Sequence, residues 1–141
     1  GYSYVAWGTT HTEDGGDRVP VMAADASPAT AKELGKRCRE MGLEPVMMFS
    51  GIYPENPQAM EVLTNRIKQA SAAGIMHVLT FGHTKGGNRE IWIERFKKLA
   101  PIAKAHDVHI VVKQQRGATR PAPPSAAHPT AGPHPNAHAN S

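Results

Sequence analysis

Apolar positions change their spacing in a regular order along this chain. Tyr2–Trp7 is a short, nearly continuous apolar run and reads as a buried strand. His11–Asp17 is polar and glycine-rich, a loop. Ser27-Pro28 sets a hydroxyl N-cap before a proline at the first helical position, and Ala31, Leu34, Cys38 and Met41 follow at helical spacing on one face. Gly42 supplies the stop. Pro45–Phe49 reads as a second strand and Ser50–Asn56 as a loop. Pro57 then opens a helix with Val62, Leu63, Ile67 and Ala70 as its stripe, ended by Gly74. Ile75–Phe81, the loop Gly82–Asn88, a helix through Trp92, Phe96, Leu99 and Ala103, and a strand at Val108–Val112 complete the series. Pro101 falls inside the last helix, where a proline is expected to kink it or end its first segment.

Strands alternating with helices predict α/β architecture, parallel β/α units joined by right-handed crossovers. All strand C-terminal ends then share one edge. The loops His11–Asp17, Ser50–Asn56 and Gly82–Asn88 converge there, at the edge where barrels and open α/β sheets bind ligands. The foldable part is residues 1–113. Residues 114–141 contain no Val, Ile, Leu, Met, Phe, Tyr or Trp and cannot add to a core. That tail reads either as a disordered Pro/Ala/His-rich extension or as GC-rich coding sequence translated out of frame.

Composition narrows the classes. The chain is formally +4, and the tail holds Arg116 and Arg120 but no acid, which leaves the rest near +2. Nucleic-acid sites need clustered Lys and Arg, so no nucleic-acid partner is expected. The single cysteine, Cys38, rules out an intramolecular disulfide and suits a reducing, cytoplasmic setting. It faces an apolar stripe and reads as inert. No apolar run approaches the roughly 20 residues of a membrane span, so no membrane partner is expected. The six methionines, Met22, Met41, Met47, Met48, Met60 and Met76, read as core filler.

The best local signal is Phe81-Gly82-His83-Thr84-Lys85-Gly86-Gly87-Asn88, between a strand and a helix. Glycines admit close backbone approach, and free N–H groups at a helix start favour an anion. Thr84, Lys85, Gly86, Gly87 and Asn88 are the candidate grip on a phosphate or on hydroxyls. The spacing is not that of a nucleotide P-loop, and an ordinary glycine turn with an exposed lysine satisfies the same pattern. His11 and His83 each follow a strand and suit proton transfer or metal ligation. Glu13, Asp14, Asp17 and Glu55 lie on the same edge, but no spacing is diagnostic of a metal site. Trp7, Phe49, Tyr53 and Phe81 stand at or just beyond strand ends, as walls for a sugar ring or as plain core. His106 and His109 read as structural.

Three stretches carry a family resemblance. Ala73-Gly74-Ile75-Met76-His77-Val78-Leu79-Thr80-Phe81-Gly82-His83, followed by Leu99-Ala100-Pro101-Ile102-Ala103 and Val108-His109-Ile110-Val111-Val112, resembles the xylose-isomerase-like TIM barrels. This family comprises sugar phosphate isomerases and epimerases, with endonuclease IV in the same superfamily. The resemblance implies a partial barrel, strands two to five of eight over residues 1–113. It further implies a small sugar or sugar-phosphate ligand, and a divalent metal serving proton transfer beside a carbonyl or hydride shift. The family's first metal-binding Glu ends strand five, where this chain has Lys113 instead. A lysine repels a divalent cation, but it can hold an anion or, with its pKa lowered by burial, act as a base. On this reading His83 and Lys113 are the catalytic candidates, and Trp7, His11 and Tyr53 join the glycine loop as substrate contacts. A non-catalytic sugar-binding module is the alternative. An endonuclease-IV-like phosphodiesterase fits less well, since it needs zinc-binding histidines and a basic face. An unclosed barrel would be inactive alone and prone to self-association through its open edges.

Overall fold

The computed structural model describes residues 1, 3–8, 19–82 and 87–113. Four strands and three helices alternate: β1 (Tyr4–Trp7), α1 (Pro28–Glu40), β2 (Glu44–Phe49), α2 (Ala59–Ala73), β3 (His77–Phe81), α3 (Arg89–Ala105) and β4 (His109–Lys113). The strands form one parallel sheet in chain order, β1-β2-β3-β4. The α/β class and its repeating β/α units therefore stand as expected.

Local chemistry explains most of the boundaries. Ser27 caps α1, its Oγ accepting from the Thr30 amide at 3.2 Å, and Pro28 occupies the first turn without losing a bond. Gly42 and Gly74 take φ of +77° and +73°, the left-handed turn that ends α1 and α2 and leads into a strand. One expected helix start needs correction. Helix α2 starts at Ala59, two residues past Pro57, because the Asn56 side chain accepts from the Gln58 amide at 2.9 Å and holds that stretch in a turn. Helix α3 runs through Pro101 as one element. Leu99 and Ala103, on either side of the proline, are both buried, and Pro101 itself is exposed.

All three helices lie on one face of the sheet, α1 packed on α2 and α2 on α3. Val5, Trp7, Met48, Val78 and Ile110 point from the strands toward them. Leu63, Ile67 and Leu99 come from the helices and are fully buried. Each such side chain contributes about 1.5–3 kcal/mol relative to an exposed one. Cys38 is buried on α1, as read. The methionines divide: Met22 and Met48 are core, whereas Met41 and Met76 are exposed.

A buried polar strap fastens the β1–α1 connection to α2. Asn65 donates to the Ala24 and Ala26 carbonyls, Gln69 to those of Ala23 and Ala26, and Arg66 to Met22 at 2.6 Å. Arg66 also donates to Gln69 Oε1 at 3.1 Å. Burial pulls the Arg66 guanidinium below the usual arginine range. These three side chains satisfy carbonyls of an irregular segment that has no ladder partner.

Among the described residues, the other sheet face carries no helix. Alternation places Ala6, Met47, Phe49, His77, Leu79, Phe81, His109, Val111 and Lys113 on it. Val5 pairs with Pro45 and Ala6 with Met47, so Val46 is an extra residue in β2, a bulge.

Candidate functional site

The C-terminal ends of β2, β3 and β4 bring three aromatic rings and one ammonium group together. Phe81 closes β3 on the helix-free face. Tyr53, from the β2–α2 loop, stacks on it with centroids 4.4 Å apart and planes 20° apart. Phe49, at the end of β2, meets Phe81 edge-on at 5.4 Å and 88°. Lys113 is the register partner of Phe81 on β4 and is exposed.

Several bonds hold this arrangement. Arg95 of α3 reaches the β2–α2 loop and donates to the carbonyls of Pro54, at 2.7 Å, and Asn56. Pro54, next to Tyr53, is fully buried. The Ser50 amide donates to Leu79 O at 2.8 Å, which fastens the root of the same loop to β3. The Gly82 amide donates to Lys113 O at 3.2 Å, so β3–β4 pairing persists to the point where the glycine loop departs. Trp92 of α3 donates through Nε1 to Phe81 O at 3.3 Å and stacks on Phe96 at 4.4 Å. Tyr53 thus sits on a loop clamped by α3, and Lys113 on a strand.

Of the candidates read from sequence, Tyr53 and Lys113 meet at this edge. Asn88 lies at the start of α3, with its Oδ1 accepting from the Glu90 and Ile91 amides at 3.0 and 3.1 Å. Those amides are the anion-attracting donors of the helix start. Asn88 uses them, so its own Nδ2 is what it can offer a ligand. Gly87 is exposed, immediately before it. Trp7 is a correction: it is 3 % exposed within the core between sheet and helices, and its ring presents almost no surface to a ligand. It lies on the helix-facing side of β1, whereas the site is on the other. His11, His83, Thr84, Lys85 and Gly86 lie outside the described residues, as do Glu13, Asp14 and Asp17. His106 is structural, as read: Nδ1 bonds to Ile102 O at 2.8 Å at the end of α3.

Among the described residues, no set fits the divalent metal that the resemblance implies. The end of β4, where the resemblance would put the metal-binding glutamate, carries the exposed ammonium of Lys113. Among the described residues no group of three or more His, Cys, Asp or Glu gathers to hold an ion. Two cavities among the described residues lie elsewhere in the fold. One of about 560 Å³ is lined by Met76, Phe96, Ala100, Ala103 and Ile110 where α3 meets β4. Another is lined by Asp25, Glu61, Asn65 and Lys68, beside α2. Phe81 is itself buried beneath Tyr53, so the half-buried Tyr53 ring is the main aromatic surface of this edge, and with the exposed Lys113 it suits a small ring bearing an anionic group. Among the described residues, no helix is long and apolar enough to cross a membrane.

No protein-family model matches this chain, and no curated protein matches it in sequence.

Proposed function

We propose that the β2–β3–β4 edge binds a small sugar or sugar phosphate, as part of a sugar isomerase/epimerase-like barrel of which residues 1–113 form a portion. The observation that supports it is the Tyr53–Phe81 stack beside Lys113. Aromatic planes pack against the apolar face of a pyranose or furanose ring, and an exposed ammonium pairs with phosphate. In this reading Lys113 anchors the anion and Tyr53 the ring. Thr84, Lys85, Gly86, Gly87 and Asn88 are the candidate contacts for the anion or hydroxyls, and His83 is the candidate for proton transfer beside the carbonyl.

Lys113 favours a second reading, a binding module without turnover. A cation at the strand end that supplies a metal-binding carboxylate in the resembled family holds a phosphorylated ligand but supports no metal-assisted step. Among the described residues, the helix-free face and the outer edges of β1 and β4 are uncovered, which supports self-association in either case.

The test is a thermal-shift titration of the full chain with a hexose phosphate, the free hexose and inorganic phosphate. The phosphorylated sugar should raise Tm most. Lys113→Gln should abolish its advantage over the free hexose, and Tyr53→Ala should weaken both sugars. Absence of any shift, or a Lys113→Gln variant in which the phosphorylated sugar keeps its advantage over the free hexose, would overturn the reading. Isomer formation from the bound sugar separates enzyme from binding module.

A further inference from the structure

We propose that Met47, His77 and His109 form a site for a soft transition-metal ion, copper(I) above all, on the helix-free face of the sheet. The three residues occupy one cross-strand row. Met47 is the register partner of His77, and His77 of His109. Each alternates with a residue that points at the helices (Met48, Val78 and Ile110), so all three side chains share the opposite face. Neighbouring strands are about 4.8 Å apart, within reach of a thioether and two imidazoles leaning toward the central strand.

The two rings are already paired. Their centroids lie 5.8 Å apart with planes at 29°. Metal–nitrogen bonds of about 2.0–2.1 Å allow two imidazoles on one ion to have centroids up to roughly 6.4 Å apart. The observed spacing therefore suits a shared ion at an open angle, reached by turning each ring about χ2. His109 is exposed and Met47 and His77 are half-buried, so solvent reaches the row while strands fix its spacing. The His109 amide donates to Met76 O at 2.7 Å, which pins β4 to β3 beside the rings.

The donor set selects the ion. It has no carboxylate to attract Mg²⁺ or Ca²⁺, and its sulfur and two nitrogens match copper(I), with zinc and nickel held by the imidazoles alone. The site is separate from the ligand edge. Lys113 stands four residues beyond His109 on β4, roughly 13 Å away along the strand, so its charge bears little on an ion held here.

The experiment is an anaerobic competition titration of the full chain against a chromophoric copper(I) chelator. One ion should bind per chain. His77→Gln and His109→Gln should each weaken binding at least tenfold. Met47→Leu should weaken copper(I) at least tenfold and leave zinc(II) within twofold. Cys38→Ala and the tail variant His128→Gln/His134→Gln/His138→Gln should keep the parent affinity. Undiminished copper(I) affinity in the folded double variant His77→Gln/His109→Gln, or its loss in either control, would overturn the proposal. X-ray absorption of the copper(I)-loaded, unsubstituted chain reads the ligands without relying on a variant's folding. One sulfur and two imidazole scatterers are expected, and a shell lacking sulfur would refute the site.

Discussion

Arg39 of α1 donates through Nη2 to the main-chain oxygen of Ala73, 2.7 Å away at the last residue of α2. The same guanidinium grips Glu44 with Nε at 3.0 Å from Oε2, so one side chain joins two helices and a strand. The carbonyl it satisfies is part-buried, whereas the ion pair is exposed to water and salt. The bond to Ala73 should dominate. Arg39→Met is expected to cost about 1–2 kcal/mol, and Glu44→Gln below about 0.5 kcal/mol. Urea melts of the two variants check this, and equal losses would show that the ion pair carries the energy instead.

Gly35 makes the α1–α2 contact tight. A Cβ added there would lie 2.9 Å from Ala73 O and 3.3 Å from Ala73 Cβ, against backbone that cannot swing aside. Alanine would gain up to about 1 kcal/mol of helix propensity and lose about 1–3 kcal/mol to overpacking. Gly35→Ala is therefore expected to destabilise the fold, and Gly35→Val more so. A rise in urea midpoint for Gly35→Ala would contradict the close approach.

Gln69 is fully buried, donates to Ala23 O and Ala26 O at 2.9 Å each, and accepts from Arg66. Replacing it by leucine keeps the volume but strands buried acceptors and a buried cation's partner. A loss of about 2–4 kcal/mol is expected, since each orphaned buried polar group costs about 1–3 kcal/mol. Limited proteolysis should show new cleavage within residues 19–26. An uncut segment in Gln69→Leu would mean that Asn65 and Arg66 suffice to hold it.

Asp107 follows the end of α3 with φ of +54°. Left-handed backbone strains a side chain, and a carboxylate beside a helix C-terminus opposes the helix dipole. Asp107→Gly should stabilise the protein by about 0.5–1 kcal/mol, and Asp107→Asn by less, through charge alone. Thermal melts order the two; a lower Tm for the glycine variant would sink the strain argument.

The strands and helices were legible because their signals are local. Ser27-Pro28, Gly42 and Gly74 act within a turn of themselves, and the structure uses each as read. The effects of Pro57 and Pro101 depend on their neighbours. The Asn56 side chain delays one helix, and buried Leu99 and Ala103 carry the other past its proline. Trp7 shows what strand reading alone misses. Its face depends on the pairing of Trp7 with Met48, which no local pattern reveals. The strap of Asn65, Arg66 and Gln69 looked like a polar helix face, since its partners are carbonyls about 40 positions earlier in the chain. At the site, the aromatic ends of β2 and β3 were visible in sequence. The clamp by Arg95 and the use of Asn88 as a cap were not, because both depend on where backbone groups fall in space.

The strand order also has a consequence in time. Among the described residues, each strand after β1 is hydrogen-bonded to the one made just before it. During synthesis at about 5–20 residues per second, β1, α1 and β2 can associate while β4 is still unmade. Each finished strand then becomes the template on which its successor is laid. Parallel sheets fold slowly when their pairings are distant; here the ribosome delivers the partners in the sequence in which they are used.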